Sequence, residues 1–263
     1  METLTPKQRE LRERESRILE LARPIIAGGG MAALSMEAIA SELKLARGTV
    51  YNHFPNKEEI ILALAIQAVE QRLAIFNEAV TMRGTPRERV AAIGIGCEIF
   101  ADHFPELFRV EYIIRHDLVW EKTSSRRQSL LRSCEGRCMH TVAGVVRDAI
   151  ANGDLQFTAH GPAKVSARRS QLETASQHDV SSQIEDIVFG LWSLVYGSLL
   201  LEMTSPSLAD IGIVDSRRAI RRNCNALLDG LGWQPLYCPD AYAKWAAHVS
   251  QTLVTRFVTL ESP

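Results

Sequence analysis

SMEAIASELKLARGTVYNHF, residues 35–54, arranges its apolar side chains in two short helical runs with a break between them. Met36, Ile39, Ala40 and Leu43 recur at the three- and four-residue spacing of one helix face. Leu45 and Val50 resume the pattern after a gap of about three residues. This predicts two short helices joined by a tight turn and sharing one small core. Small Ala40 lets the helices cross closely, β-branched Val50 fills the angle between them, and Phe54 closes the far end. The hydrogen-bonding residues of the second helix, Arg47, Thr49, Tyr51, Asn52 and His53, point away from that core.

A polar helix face is ordinarily only a solvated one. Here no carboxylate lies between Arg47 and His53 to repel phosphate. Gly48 lets another backbone approach, and Thr49, Tyr51 and His53 suit phosphate oxygens. Arg47 and Asn52 have the donor geometry that reads guanine and adenine edges in the major groove. Lys57 falls where the next helix begins, adding charge to an N-terminus that favours anions. The stretch therefore predicts a face made for double-stranded operator DNA.

These residues resemble the DNA-binding domain of the TetR family of bacterial transcriptional regulators. The family pattern is a helix start, Ile-Ala, a turn, Gly-Thr-aliphatic-Tyr-x-His/Tyr-Phe and a Lys-Glu pair. Ser35, Ile39-Ala40, Gly48-Thr49-Val50-Tyr51, His53-Phe54 and Lys57-Glu58 match it. The resemblance implies that Arg47 and Asn52 face bases, that Thr49, Tyr51, His53 and Lys57 face phosphates, and that Ser35 caps a helix starting near the DNA backbone. Two positions depart from it: Lys44 stands where the family places the turn glycine, and Ala46 where it places a Ser or Thr cap. A left-handed non-glycine residue costs about 1–2 kcal/mol and a missing cap about 1 kcal/mol. The motif should be locally weak, or Lys44 is kept because it touches phosphate.

Elsewhere the signals are helical, and no β-alternation or internal repeat is visible. Thr5-Pro6-Lys7-Gln8 and Thr85-Pro86 with Glu88 read as capped helix starts. Gly28-Gly29-Gly30 should end the first helix. A long helix is expected from Lys57 to about Met82, another from Phe104 to about Val119, and a polar loop over residues 156–181. Last come helices from about Ser182 to Met203, Asp215 to Asp229 and Ala241 to Leu260. The expected fold is all-α: a helix-turn-helix domain over residues 1–56 and a larger helical regulatory domain over residues 57–263.

In the family such a domain dimerises and binds effectors, which implies a homodimer and a small-molecule effector here. Gly190 and Gly197 lie seven residues apart on the apolar run Ile187–Leu201, allowing close helix approach either within the chain or across a dimer. That run is shorter than the roughly 20 residues needed to span a bilayer and reads as a buried helix, with no membrane partner. Phe104, Phe108, Tyr112, Trp120, Trp192 and Tyr196 are candidates to line a mainly apolar ligand pocket, although aromatics at helical spacing also serve as plain core. Cys134 and Cys138, one turn apart, could hold a soft metal or form a redox pair, but small buried thiols are common, and no metal or cofactor is expected. Glu98, Asp102, His103, His116 and Asp117 raise the same metal question.

The chain of 263 residues is 46% hydrophobic, enough for a sizeable core. With 30 Lys+Arg against 31 Asp+Glu, a polyanion must be met by a local patch. Five cysteines and the polar opening METLTPKQRE fit a reducing cytoplasm. Nothing resembles a nucleophile elbow, phosphate loop or zinc-hydrolase motif. The sequence thus predicts a ligand-released dimeric repressor, not an enzyme. The alternative is a DNA-binding protein of the same fold whose large domain docks another protein.

Overall fold

The structure is a computed structural model describing residues 5–116, 119–157, 177–205 and 207–258. Its elements are helical throughout: α1 (Pro6–Ala33), α2 (Met36–Glu42), α3 (Arg47–His53), α4 (Lys57–Ala79), α5 (Pro86–His103), α6 (Pro105–His116), α7 (Ser125–Asn152), α8 (Gln177–Thr204), α9 (Ser216–Gly230) and α10 (Pro239–Phe257). Single 3-10 turns lie at Trp120–Lys122 and Ala209–Ile211. The all-α expectation holds. Most of the loop expected over 156–181 lies outside the described residues, as does Asp117.

Both capped starts form. Gln8 N donates to Thr5 Oγ1 at 3.3 Å while Thr5 N donates to Gln8 Oε1 at 2.9 Å. Thr85 and Glu88 repeat the exchange at 3.2 and 2.8 Å, each satisfying two orphan amides of a helix end. The glycine triplet breaks the helical path as expected: Gly30 sits at the non-helical φ 66°, ψ −167°, and only a short helical turn follows it to Ala33.

The chain divides into two compact units, Met1–Gln71 with Phe104–Gly136, and Arg72–His103 with Arg137–Pro263. In the first, Ile18, Ala22 and Ile26 of α1 are sealed together with Ile39 and Ala40 of α2, Val50 of α3, and Phe54. Each buried isoleucine contributes about 1.5–3 kcal/mol. α6 packs along α1, and Arg109 Nη1 donates to Ala27 O at 3.0 Å. The start of α4 is fixed by Asn56, whose Oδ1 accepts from Glu59 N and whose Nδ2 donates to Lys122 O, both at 2.9 Å. Arg127 of α7 pairs with Glu59 at 2.6 Å and lies over the Phe54 ring at 4.8 Å. These ties join the start of α4 and the start of α7 to the helix-turn-helix within the first compact unit.

In the second unit α5 packs against α8, α9 and α10. Gly96 of α5 sits against α4, where an added Cβ would come within 2.8 Å of Ile75 Cγ2. Buried Arg87 ties α5 to the end of α9 and the turn beyond. Its guanidinium donates to Trp233 O at 2.6 Å and to the carbonyl and side-chain oxygens of Asn225 at 3.1 Å, and it pairs with Asp229 at 2.7 Å.

α8 is less buried than expected. Ile184, Ile187, Val188, Leu191, Val195 and Leu199 are buried, but Phe189 and Leu201 are 64% and 57% exposed. One stripe packs on α5 and α9, while Trp192, Leu194, Tyr196 and Leu200 are half-buried and Phe189 and Leu201 stay exposed among the described residues. Val180–Thr204 is long and apolar enough to cross a membrane by length and composition alone.

Candidate nucleic-acid interface and ligand cavity

α2 and α3 carry most of the residues that the sequence reading assigns to one outer face. Ser35 caps α2, its Oγ accepting from Ala38 N at 3.3 Å. The turn between the helices is closed by Leu45 N donating to Ala40 O at 2.8 Å. Lys44 takes it left-handed at φ 53° and is exposed, as expected of a residue in the family's glycine position. Ala46 precedes α3 without a side-chain cap. Arg47, Gly48, Tyr51 and Asn52 are exposed and Thr49 is half-buried.

Three features differ from the sequence reading. First, His53 does not join this face. Its side chain is 3% exposed, with Nδ1 3.8 Å from Glu15 Oε1. The heptapeptide helix turns it inward beside Phe54 and α1, where it cannot meet phosphate. Second, Lys57 is half-buried and spends a hydrogen bond inside the protein, Nζ donating to Met31 O at 3.1 Å. Third, the face is not free of acid. Glu37 of α2 reaches across so that its Oε1 lies 2.5 Å from Arg47 Nη2 and accepts from Tyr51 Oη at 3.4 Å. Its Oε2 accepts from Ser35 Oγ at 3.2 Å. Hydrogen bonding to its own backbone amide and to Ser35, then the Arg47 charge, hold the Glu37 carboxyl below its ordinary range. The only sequence signal for this contact is register: Glu37 and Arg47 each stand three residues before the crossing pair Ala40 and Val50.

The second unit contains a narrow cavity with an interior of about 70 Å³. Phe76 of α4, Ile93 of α5, Val142 of α7, Val188 and Leu191 of α8 and Leu228 of α9 supply apolar lining. A polar cluster shares it. Glu98 Oε1 accepts from Arg221 Nε at 2.9 Å and Oε2 from Nη2 at 2.6 Å, with Cys224, Asn225 and Tyr242 alongside. Burial pushes the Glu98 carboxyl up against the pull of Arg221. Burial also pushes the Cys224 thiol and the Tyr242 phenol up to about 12, so both stay protonated near neutral pH. Of the six expected lining residues, Trp192 lines the cavity. Phe104, Phe108, Tyr112 and Trp120 belong to the first unit, and Tyr196 stands beside Trp192, ring centroids 6.1 Å apart, outside the lining.

Cys134 and Cys138 are buried on α7, Cys134 Sγ lying 3.9 Å from Glu70 Oε1. Among the described residues no three His, Cys, Asp or Glu side chains come together as metal ligands. Glu98 and Asp102 are engaged by Arg221 and Arg217.

The family model for the bacterial regulatory proteins of the tetR family matches residues 18–64. The chain is 38% identical over 73 residues to the HTH-type transcriptional regulator UidR of Escherichia coli (strain K12), a match covering 28% of this chain and 37% of that protein. It is 34% identical over 79 residues to the HTH-type transcriptional repressor KstR of Mycolicibacterium smegmatis, covering 30% of this chain and 39% of that one. The chain therefore spans under two fifths of the length of these curated relatives. The crystal structure of the TetR family transcriptional regulator PfmR from Thermus thermophilus shares the fold, with a TM-score of 0.55 at 17% identity, over 82% of this chain and 98% of that one. The matched residues take in the second half of α1, the α2–α3 pair and the start of α4, the same residues that seal the small core, and on this ground residues 18–64 form the DNA-binding domain found in the tetR family of bacterial regulatory proteins.

Proposed function

We propose that the protein is a DNA-binding transcriptional regulator, a cytoplasmic homodimeric repressor that a small, mainly apolar effector releases from its operator. The observation that carries this reading is the outer side of α3, where Arg47, Tyr51 and Asn52 stand exposed above a sealed core. Arg47 and Asn52 contact base edges, while Thr49, Tyr51, Gly48 and the end of α2 at Ser35 approach the backbone. Lys44 reaches phosphate from the turn. Lys57 contributes its charge at the start of α4, partly spent on Met31. A seven-residue recognition helix reaches only about three or four base pairs, so two copies must be held on one site. The open apolar side of α8 supplies the surface for the second copy. Selection of duplexes from fragmented genomic DNA by the full-length protein tests the reading. Arg47→Ala and Asn52→Ala each lower affinity for the selected duplex by about 1–3 kcal/mol. Equal affinity in both variants would sink it.

The effector site is the narrow cavity between α4, α5, α7, α8 and α9 of the second unit, whose walls are mainly apolar and whose Glu98–Arg221 cluster fixes orientation. Its narrow interior holds a few waters at most, so a ligand enters by stabilising a wider state, and it releases DNA only by its differential affinity for that state. The narrowness also favours a second reading, in which the large domain docks a protein and holds no small molecule. Small-molecule extraction and mass spectrometry of the purified protein separate the two.

A further inference from the structure

Glu37 is an acid placed where a DNA-binding face should least tolerate one. Its two carboxylate oxygens are both engaged, Oε2 by Ser35 and Oε1 by Arg47 and Tyr51. Arg47 and Tyr51 are four residues apart on α3 and so share one side of it. The Arg47 side chain nevertheless stays 66% exposed. A guanidinium has five N–H donors, so a carboxylate held at Nη2 leaves enough for a bidentate contact.

We propose that Glu37 is a specificity-determining positioning residue of the DNA interface: it holds Arg47, together with Tyr51, for a guanine edge in the major groove, and its charge penalises attachment to phosphate at random sequence. The proposal rests on the DNA-binding reading given above. Two physical effects support it. An arginine already fixed by a carboxylate loses less rotamer freedom when it meets O6 and N7 of guanine. A fixed anion on the same face weakens the sequence-independent attraction to the backbone, which otherwise dominates affinity. Specificity is the difference between those two affinities. Without Glu37 the arginine is free to bind any phosphate in reach, and non-specific binding gains what operator binding does not.

The test uses the full-length protein and a random-sequence duplex library, comparing wild type with Glu37→Gln, Glu37→Asp and Arg47→Ala. Wild type enriches a motif with a guanine in each half-site that Arg47→Ala no longer requires. Glu37→Gln binds a shuffled duplex several-fold more tightly, and its ratio of motif to shuffled affinity falls about tenfold, the scale of one lost base-pair discrimination. Preference relaxes at the same guanine that Arg47→Ala releases. Glu37→Asp keeps the charge but loses reach, so shuffled binding stays near wild type while the guanine preference relaxes. A Glu37→Gln variant that keeps the ratio overturns the proposal and leaves an ordinary surface ion pair. A ratio that rises overturns it too, making Glu37 a competitor that DNA must displace. If Arg47→Ala selects the wild-type motif unchanged, the reading of α3 as the recognition helix fails, and that outcome is distinct from a failure at Glu37 alone.

Discussion

Arg47 and Arg87 carry the same guanidinium and are used in opposite ways. Arg47 stands on α3 of the first unit, 66% exposed, with one carboxylate as partner. Arg87 stands on α5 of the second, 6% exposed, with the oxygens of Trp233, Asn225 and Asp229 around it. Water already solvates the first, so its ion pair adds little to folding and its donors remain usable by a partner. Water cannot reach the second, so each lost acceptor or donor would leave a buried group unsatisfied. Residue type tells nothing of this difference. Burial and the number of acceptors tell all of it.

The sharpest way to break the comparison is to remove both arginines in turn. Arg87→Ala leaves buried Trp233 O and Asn225 Oδ1 short of a donor, while Asp229, 36% exposed, keeps Tyr237 N, and it should cost about 1–3 kcal/mol of stability. Chemical denaturation of the full chain measures it, and a loss below about 1 kcal/mol would show that the knot is dispensable. Arg47→Ala should leave folding within about 1 kcal/mol of wild type while costing about 1–3 kcal/mol of operator affinity. If Arg47→Ala unfolded the protein, or Arg87→Ala left stability intact and weakened DNA binding, the contrast would be reversed.

Two glycines on α8 extend the comparison to helix packing. A Cβ added at Gly190 would meet Leu227 Cδ2 at 3.3 Å, whereas one at Gly197 would meet nothing within 4 Å. Gly190 therefore serves the packing of α8 on α9 within one chain, while Gly197 has open space beside it among the described residues. Gly190→Leu should cost about 1–3 kcal/mol of folding stability by overpacking. Gly197→Leu should spare folding and raise the dimer dissociation constant instead, read by analytical ultracentrifugation alongside operator affinity. A Gly197→Leu protein that dimerises like wild type would remove this part of α8 from the interface.

The helix-turn-helix was legible because its signals are local: Ile39, Ala40, Val50 and Phe54 are all buried as their spacing requires, and the left-handed Lys44 and uncapped Ala46 appear where the pattern departs from glycine and serine. Contacts between residues distant in sequence were not legible. His53 turns inward because Glu15 and α1 lie behind it, and no spacing rule within α3 reveals that. Glu37 reaches Arg47 only once two helices cross. In the larger domain the gap is wider. Tertiary packing decides which aromatics face a cavity, and the polar residues found there, Glu98, Arg221 and Tyr242, lie on three helices far apart in the chain. The open side of α8 was hidden for another reason: an apolar run reads the same whether its cover comes from its own chain or from another.

The smallest expected effect comes from Lys44, where folding and binding should move in opposite directions. At φ 53° its Cβ crowds the backbone, at a cost of about 1–2 kcal/mol that glycine would not incur. Glycine loses more backbone freedom on folding, which takes back about 0.5–1 kcal/mol, so Lys44→Gly should stabilise the protein by somewhat under about 1 kcal/mol. The same change deletes one exposed positive charge from the turn between α2 and α3. If that charge meets phosphate, operator and shuffled duplexes should both bind more weakly, and the slope of log affinity against log salt should flatten by about 0.9 for each half-site. This uniform loss sets Lys44 apart from Arg47, whose removal should erode base preference as well. A Lys44→Gly protein that is more stable and binds DNA as tightly, with an unchanged salt slope, would show that the lysine is strained for no gain at the interface.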